Sequence, residues 1–132
     1  MRANCEQFDD ANELSQFLDK LLKNNETLYG FFVTNSRSYK IVECLEQITD
    51  RKIKIVGFDL IEENLKYFRR DKINFLINQN PSEQGFLGIM NLFKHLILKE
   101  NVDKKQYLPL DIVVKENVDY YLKRQQSFEV II

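Results

Sequence analysis

Three short apolar runs in this sequence each end at a side chain that can hydrogen-bond to a polar ligand. The runs at 31–34, 53–58 and 74–78 are followed by Asn35, Asp59 and Gln79. Stretches with helical apolar spacing separate the runs, so the order is strand, helix, strand, helix, strand. Strands in such an alternating chain are usually parallel, and ligands bind outside their carboxyl ends. The pattern therefore predicts an α/β fold in which an amide, a carboxylate and a second amide meet at one edge of a sheet.

The composition fits one globular domain and gives no sign of a nucleic-acid or membrane partner. The chain has 132 residues, of which 44% are hydrophobic and 30% charged, with a formal net charge of -1. This balance provides no basic patch for DNA or anionic lipid, so any DNA binding must come from a domain outside the chain. No apolar run approaches the roughly 18 residues of a membrane span, and the N-terminus lacks the apolar core of a signal peptide. We expect a cytoplasmic protein.

Capping signals and apolar spacing predict the remaining elements. Asp10 and Glu13 form a capping box, with the Asp10 carboxylate expected at the third helical amide, before a helix that ends in a left-handed cap near Asn24-Asn25. Asn80 and Glu83 form a second start signal around Pro81. The predicted helices cover about 11–24, 37–48, 61–70 and a stretch from 81, and the predicted strands cover about 30–34, 53–58, 73–78 and 108–114. Residues 125–132 receive no assignment.

Two statements about packing follow from these patterns. The three strands carry few polar residues, which predicts helices on both faces of the sheet. The helix from Pro81 has a wide apolar arc, including Phe86, Ile89, Leu92 and Phe93, which predicts burial on more than one side.

Four motifs, taken in order, resemble the LacI-type transcriptional regulators. They are Phe32-Val33-Thr34-Asn35, Ile55-Val56-Gly57-Phe58-Asp59, Ile77-Asn78-Gln79-Asn80-Pro81 with Gln84-Gly85-Phe86, and Val113-Val114-Lys115-Glu116-Asn117. The resemblance covers about residues 8–121. It implies a non-enzymatic sensor with a type I periplasmic-binding-protein fold, in which two α/β lobes enclose a sugar-like effector.

The resemblance also implies that residues 1–132 are the C-terminal part of such a sensing domain. The chain has about half the length that the fold needs, and residues of about 81–116 are expected to cross into a first lobe that this chain lacks. The DNA-binding helix-turn-helix would be in the absent N-terminal part. Without its lobe, the helix from Pro81 would expose an apolar patch that favours self-association or swapping. A homodimer is expected through about 39–48 and 63–72.

Asp59, Asn35, Gln79 and Arg37 are the candidate ligand-binding residues. The Asp59 carboxylate can accept two hydroxyl groups, although its position also suits the cap of the following helix. Asn35 and Gln79 have amides that donate and accept, and Gln79 could instead bond across a hinge. The family often has an acid directly after this asparagine, whereas Ser36-Arg37 follow here. Arg37 could therefore favour an acidic or phosphorylated sugar, or simply be exposed.

Phe32 and Phe58 are expected in the core, not as sugar-stacking rings. No cofactor or metal site is predicted: His95 lacks ligands at metal spacing, and Cys44 is expected to be a small buried side chain.

Two other functions remain open at this point. A solute-binding protein for sugar uptake shares the fold, and an upstream signal peptide would favour it over a regulator. A flavodoxin-like phosphoryl-transfer or receiver domain would use Asp59 as a phosphate acceptor. That chemistry needs acids after the first strand, where this chain has Asn35-Ser36.

Overall fold

The chain alternates helices and strands, as predicted, in a computed structural model that describes residues 10–129, with side chains up to residue 125. The elements are α1 (Ala11–Asn24), β1 (Gly30–Phe32), α2 (Ser38–Ile48), β2 (Lys54–Phe58), α3 (Glu62–Arg69), β3 (Phe75–Asn78), α4 (Pro81–Leu96), β4 (Asp111–Val113) and α5 (Val118–Glu129). β1 and β2 are parallel, with Phe31 opposite Ile55 and Phe32 opposite Val56. The predicted α/β fold, with a mostly parallel sheet flanked by helices, is confirmed.

The chain divides into two compact units, residues 1–76 and 77–132. In the first unit, β1, β2 and the beginning of β3 are neighbours in that order. In the second unit, β4 is next to the end of β3. The boundary falls close to residue 81, where the chain is expected to leave this lobe; that assignment remains a prediction.

The core of the first unit lies between the helices and one face of the sheet. α2 packs against α1, α3 and β2. The fully buried apolar side chains of this unit include Leu18, Ile55, Phe68, Ile73 and Leu76. Cys44 is also buried, as predicted, and its environment raises the pKa of the thiol, mainly through burial.

The two faces of the sheet differ in how closely they are covered, and the expectation of helices on both faces stays a prediction. After an exposed first residue, buried and half-buried positions alternate along β2 and β3, so one face of these strands is covered more completely than the other. Phe32 and Phe75 are 61% and 43% exposed. Phe32 meets Phe58 edge-on, with 5.9 Å between ring centroids, and is not the core residue that its sequence context predicts. An uninterrupted apolar run in the sequence predicts a strand but does not show how closely other elements cover each face of that strand.

The caps of α1 differ from the prediction in detail. Asp10 accepts a hydrogen bond from the second helical amide, that of Asn12, at 3.0 Å, where the third was expected. Asn25 has φ -139°, outside the left-handed region. Its side chain instead donates to the carbonyl of Leu21 at 2.8 Å, which satisfies one of the last helical carbonyls.

In the second unit, Asn80 does not cap α4 with its side chain. Its backbone is left-handed, with φ 52°. Its amide instead donates to Asp111 Oδ2 at 2.8 Å and accepts from Asn78 Nδ2 at 2.8 Å. Glu83, the expected acid of the capping box, forms an ion pair with Arg124 at 2.8 Å. Partners about thirty and forty residues away therefore replace the local caps.

The expectation that α4 is buried on more than one side is also wrong for this chain. No residue of α4 is buried. Large apolar side chains are exposed along it, namely Phe86 (52%), Ile89 (71%), Leu92 (59%), Phe93 (45%) and Leu96 (51%). α5 was missed at the sequence level, and residues 130–132 lie outside the described part of the chain. None of the helices within residues 10–129 is long and apolar enough to cross a membrane.

Candidate ligand-binding site

Asn35 lies in the loop that follows the carboxyl end of β1. Its Oδ1 accepts a hydrogen bond from the backbone N–H of Arg37 at 2.9 Å. This local turn, in which an Asn side chain bonds to the backbone two residues on, fixes the Asn35 side chain just before α2 begins. Asn35 is half-buried, and Arg37 is the exposed N-cap residue of α2. Arg37 is therefore exposed, and its contact with an acidic sugar remains a prediction.

Asp59 follows the carboxyl end of β2 and is half-buried. Its backbone has φ 69°, in the left-handed region that residues other than glycine rarely adopt. Such conformations concentrate at functional sites, where the surrounding structure holds them in place. The N-cap residue of α3 is Ile61, two positions after Asp59.

The loops that carry Asn35 and Asp59 are brought together by one buried side chain. Asn64 of α3 donates from Nδ2 to the backbone carbonyls of Ser36 at 3.0 Å and Asp59 at 3.1 Å. Two of the predicted ligand-binding residues therefore stand on connected loops at the carboxyl ends of neighbouring parallel strands. Their contact with a ligand remains a prediction.

Sequence reasoning missed Asn64, although a signal for it was present. The apolar stripe of α3 consists of Ile61, Leu65 and Phe68, and Asn64 stands on that stripe, three positions after Ile61. A polar side chain on the buried face of a helix needs hydrogen-bond partners in the core. The stripe therefore indicated a polar contact beneath α3, but not which backbone groups would form it.

Gln79 belongs to the second unit, at the end of β3. Its backbone carbonyl accepts a hydrogen bond from Gln84 Nε2 at 2.6 Å. It lines an open concavity of about 370 Å³ within that unit, together with Gln84, Asn91, Gln106 and other residues. This lining contains several amides that can donate and accept hydrogen bonds. The ligand-binding role of Gln79 remains a prediction.

A second concavity, of about 690 Å³, lies in the first unit at the opposite end of the strands. Four of its charged side chains, those of Glu46, Arg51, Arg70 and Lys72, are engaged with one another or with the backbone. Glu46 pairs with Lys72 at 2.9 Å and with Arg70 at 3.5 Å, and the hydrogen bond from Lys72 is the main cause that lowers the pKa of Glu46. Arg51 donates to three backbone carbonyls. We therefore place the candidate site at the carboxyl ends of the strands and not in this charged concavity.

Among the described side chains, residues 10–125, no group of three or more His, Cys, Asp or Glu is placed to hold an ion. His95 is exposed on α4.

The sequence can be placed in a family by direct comparison. Residues 3–100 match the sequence profile of the periplasmic binding protein domain. The chain belongs to this family. No curated protein sequence matches it.

Solved structures similar to this periplasmic binding protein domain include a regulator and several sugar-binding or solute-binding proteins. A candidate LacI transcriptional regulator from Bacteroides fragilis is 36% identical, with a TM-score of 0.75 over 83% of this chain and 38% of that one. An ABC transporter solute-binding protein from Agrobacterium vitis, bound to α-D-tagatopyranose, is 26% identical, with a TM-score of 0.75 over 89% of this chain and 41% of that one.

A second solute-binding protein from Agrobacterium vitis, bound to D-fucose, is 22% identical, with a TM-score of 0.70 over 83% of this chain and 38% of that one, and shows the fold alone. The chain spans less than half the length of these three proteins.

Proposed function

We propose that this chain is part of the effector-sensing domain of a cytoplasmic LacI-type regulator and that it recognises a sugar-like small molecule. The observation that carries this proposal is the 36% identity with the Bacteroides fragilis protein over 83% of the chain, against 26% with the tagatose-bound transport protein. The motif order found in the sequence supports the same family. DNA binding would come from a domain outside this chain, in keeping with its net charge of -1.

The strand-end residues supply chemistry that suits a sugar. The Asp59 carboxylate can accept hydrogen bonds from two adjacent hydroxyl groups, and such charge-assisted bonds are strong. The amides of Asn35 and Gln79 can donate to one hydroxyl and accept from another. Arg37, exposed beside Asn35, would add affinity for a sugar that carries an acidic group. Binding would shift the equilibrium between open and closed sensor states by the difference in affinity for the two.

We also propose that the regulator is a homodimer and that α2 and α3 contribute to its interface. α2 exposes Glu43 and Glu46, whereas α3 exposes Lys66 and Arg69. Lys66 and Arg69 of one copy could contact the acidic side chains of the other, although Glu46 already pairs with Lys72 and Arg70 of its own chain. Light scattering of the full-length protein should give twice the mass of one chain. A monomer at high concentration would overturn the dimer without affecting the sensor assignment.

Thermal-shift titration of the full-length protein with D-tagatose, D-fucose, D-arabinose and D-allose tests the sugar-binding role. At least one sugar should raise the melting temperature, and Asp59→Ala should abolish that rise. Asp50→Ala is the matched control because Asp50 is exposed at the other end of the strands. If Asp59→Ala still shows the rise in melting temperature, Asp59 does not contribute to sugar binding. If no sugar raises the melting temperature of the wild type, the proposal that the protein recognises these sugars is overturned.

The second candidate function is solute binding for sugar uptake, which the tagatose-bound relative favours. The two functions differ in location and in DNA binding. Fractionation of cells that express the full-length protein separates them, since a regulator stays with the cytoplasm and an uptake protein is exported. Sugar-sensitive binding to DNA from the region upstream of its own gene would support the regulator, whereas export without DNA binding would replace it with the transport function.

A further inference from the structure

Asn64 lies in the first turn of α3, on the buried side of the helix. The residue is completely buried. Its Oδ1 accepts from the backbone N–H of Tyr39, in the first turn of α2, at 3.0 Å. Its Nδ2 donates to the carbonyls of Phe58 at 2.9 Å, Asp59 at 3.1 Å and Ser36 at 3.0 Å. A single amide therefore uses both its donor and its acceptor atoms on the backbone.

These bonds connect three separate segments of the first unit. Ser36 belongs to the loop after β1, Tyr39 to the first turn of α2, and Phe58-Asp59 to the end of β2 and the loop after it. The two loops are those that carry the predicted ligand contacts Asn35 and Asp59. Because the bonds go to the backbone, they fix the positions of the loops and not merely the orientation of a side chain.

The same amide holds the strained backbone at Asp59. A left-handed conformation is uncommon for a residue other than glycine and persists where neighbouring contacts determine it. Nδ2 of Asn64 bonds to the carbonyl on each side of the Asp59 Cα atom, that of Phe58 and that of Asp59 itself. The direction of the Asp59 side chain thus depends on a side chain that need not touch the ligand.

We propose that Asn64 is a positioning residue of the binding site, which sets the separation of the Asn35 and Asp59 loops and holds Asp59 in its left-handed conformation. The proposal rests on the proposed function for its ligand-binding consequence. Its structural consequence, ordering of the two loops, stands independently. Aspartate at this position keeps an oxygen for the Tyr39 amide but, when ionised, has no N–H or O–H to donate to the three carbonyls.

The test compares Asn64→Asp with Asn74→Asp in the full-length protein. Asn74 is the matched control because its Oδ1 accepts from the Ile55 amide at 3.0 Å at the opposite end of the strands, an acceptor that the substitution retains. Hydrogen exchange followed by mass spectrometry should be faster over 34–39 and 57–61 in Asn64→Asp only. Uniformly faster exchange across residues 10–76, or unchanged exchange, would overturn the positioning role.

Binding of whichever of the four sugars the wild type takes gives the second readout. Measured on folded protein below the melting temperature, the Kd should rise about ten-fold or more in Asn64→Asp, whereas the control should keep the wild-type value. The ratio of variant to wild-type Kd should decrease when the pH is lowered from 8 to 5.5, because protonation of the introduced carboxyl group restores one hydrogen-bond donor. An unchanged Kd despite faster loop exchange would overturn the link between Asn64 and binding.

If the wild type takes none of these sugars, that result counts against the proposed function alone. The exchange measurement then still decides whether Asn64 orders the loops, so the two failures are distinguishable.

Discussion

The first turn of α2 lies so close to β2 that a Cβ atom on Gly57 would sit 1.8 Å from Oγ of Ser38. Ser38 is fully buried, and its Oγ has no hydrogen-bond partner among the described residues. The glycine of the Val56-Gly57-Phe58-Asp59 motif therefore has a packing reason. It allows α2 to approach the strand whose end carries Asp59.

Gly57→Ala should destabilise the protein by about 1–3 kcal/mol, since the added methyl group forces backbone movement in a packed core. Urea denaturation measures the change. Gly85→Ala is the matched control: nothing lies within 4 Å of a Cβ atom there, and alanine is the better helix former, so its stability should stay equal or rise. Adding Ser38→Gly to Gly57→Ala should recover part of the loss. Equal effects of the two alanine substitutions would contradict the close approach.

Arg51→Lys should weaken the connection between α1 and β1. The guanidinium of Arg51 donates to the carbonyls of Glu26 at 2.7 Å, Leu28 at 2.8 Å and, more distantly, Leu22 at 3.4 Å. A lysine cannot reproduce this planar fork, and because Arg51 is exposed we expect a loss of only about 1 kcal/mol. Thermal unfolding of Arg51→Lys beside Arg69→Lys, an exposed arginine on α3, checks this. Similar melting temperatures for the two variants would count against it.

Tyr67→Phe should change how stability depends on alkaline pH. Burial and a hydrogen bond of 2.9 Å to Glu43 raise the pKa of Tyr67 above its ordinary value of 10.0. A group whose pKa is raised in the folded state stabilises the protein fully at pH values below its pKa in the unfolded state. This contribution is lost as the pH rises through its pKa in the folded state. The free energy of unfolding of the wild type should therefore exceed that of Tyr67→Phe by about 1 kcal/mol at pH 7.

The difference between wild type and Tyr67→Phe should shrink above pH 10, measured by urea titrations at pH 7, 9 and 11. The phenylalanine ring preserves the apolar contact and the ring face that Lys66 and Arg70 approach, so the comparison isolates the hydroxyl group. A difference that stays constant up to pH 11 would rule out this contribution.

The exposed apolar face of α4 should make the 132-residue chain self-associate. Phe86, Ile89, Phe93 and Leu96 recur at helical spacing and are all at least 45% exposed. Contiguous patches of this kind mark interaction sites or aggregation hazards. Ile89→Glu with Leu92→Glu should lower the mass measured by light scattering at high concentration. His95→Glu, at an exposed polar position of the same helix, is the control and should leave the mass unchanged.

Local patterns located most elements but few of their long-range contacts. α1, α2 and α3 lie where apolar spacing placed them, because that spacing depends only on which side of a helix is apolar. α5 was missed, since Val118 to Glu129 carries its apolar residues without clear helical spacing. Asn80 and Glu83 had the signature of a cap, yet their side chains bond to Asp111 and Arg124, which local sequence does not reveal.

The sequence by itself determined the alternation of strands and helices and the placement of Asn35 and Asp59 at the ends of neighbouring parallel strands. Periodicity sufficed for this because side-chain direction repeats with the backbone of each element. Only the tertiary structure decided that one sheet face is covered more completely than the other, that α2 touches β2 at Gly57, and that Asn64 connects the two loops. Buried backbone groups must find partners, and which side chain reaches them depends on segments that meet only after folding.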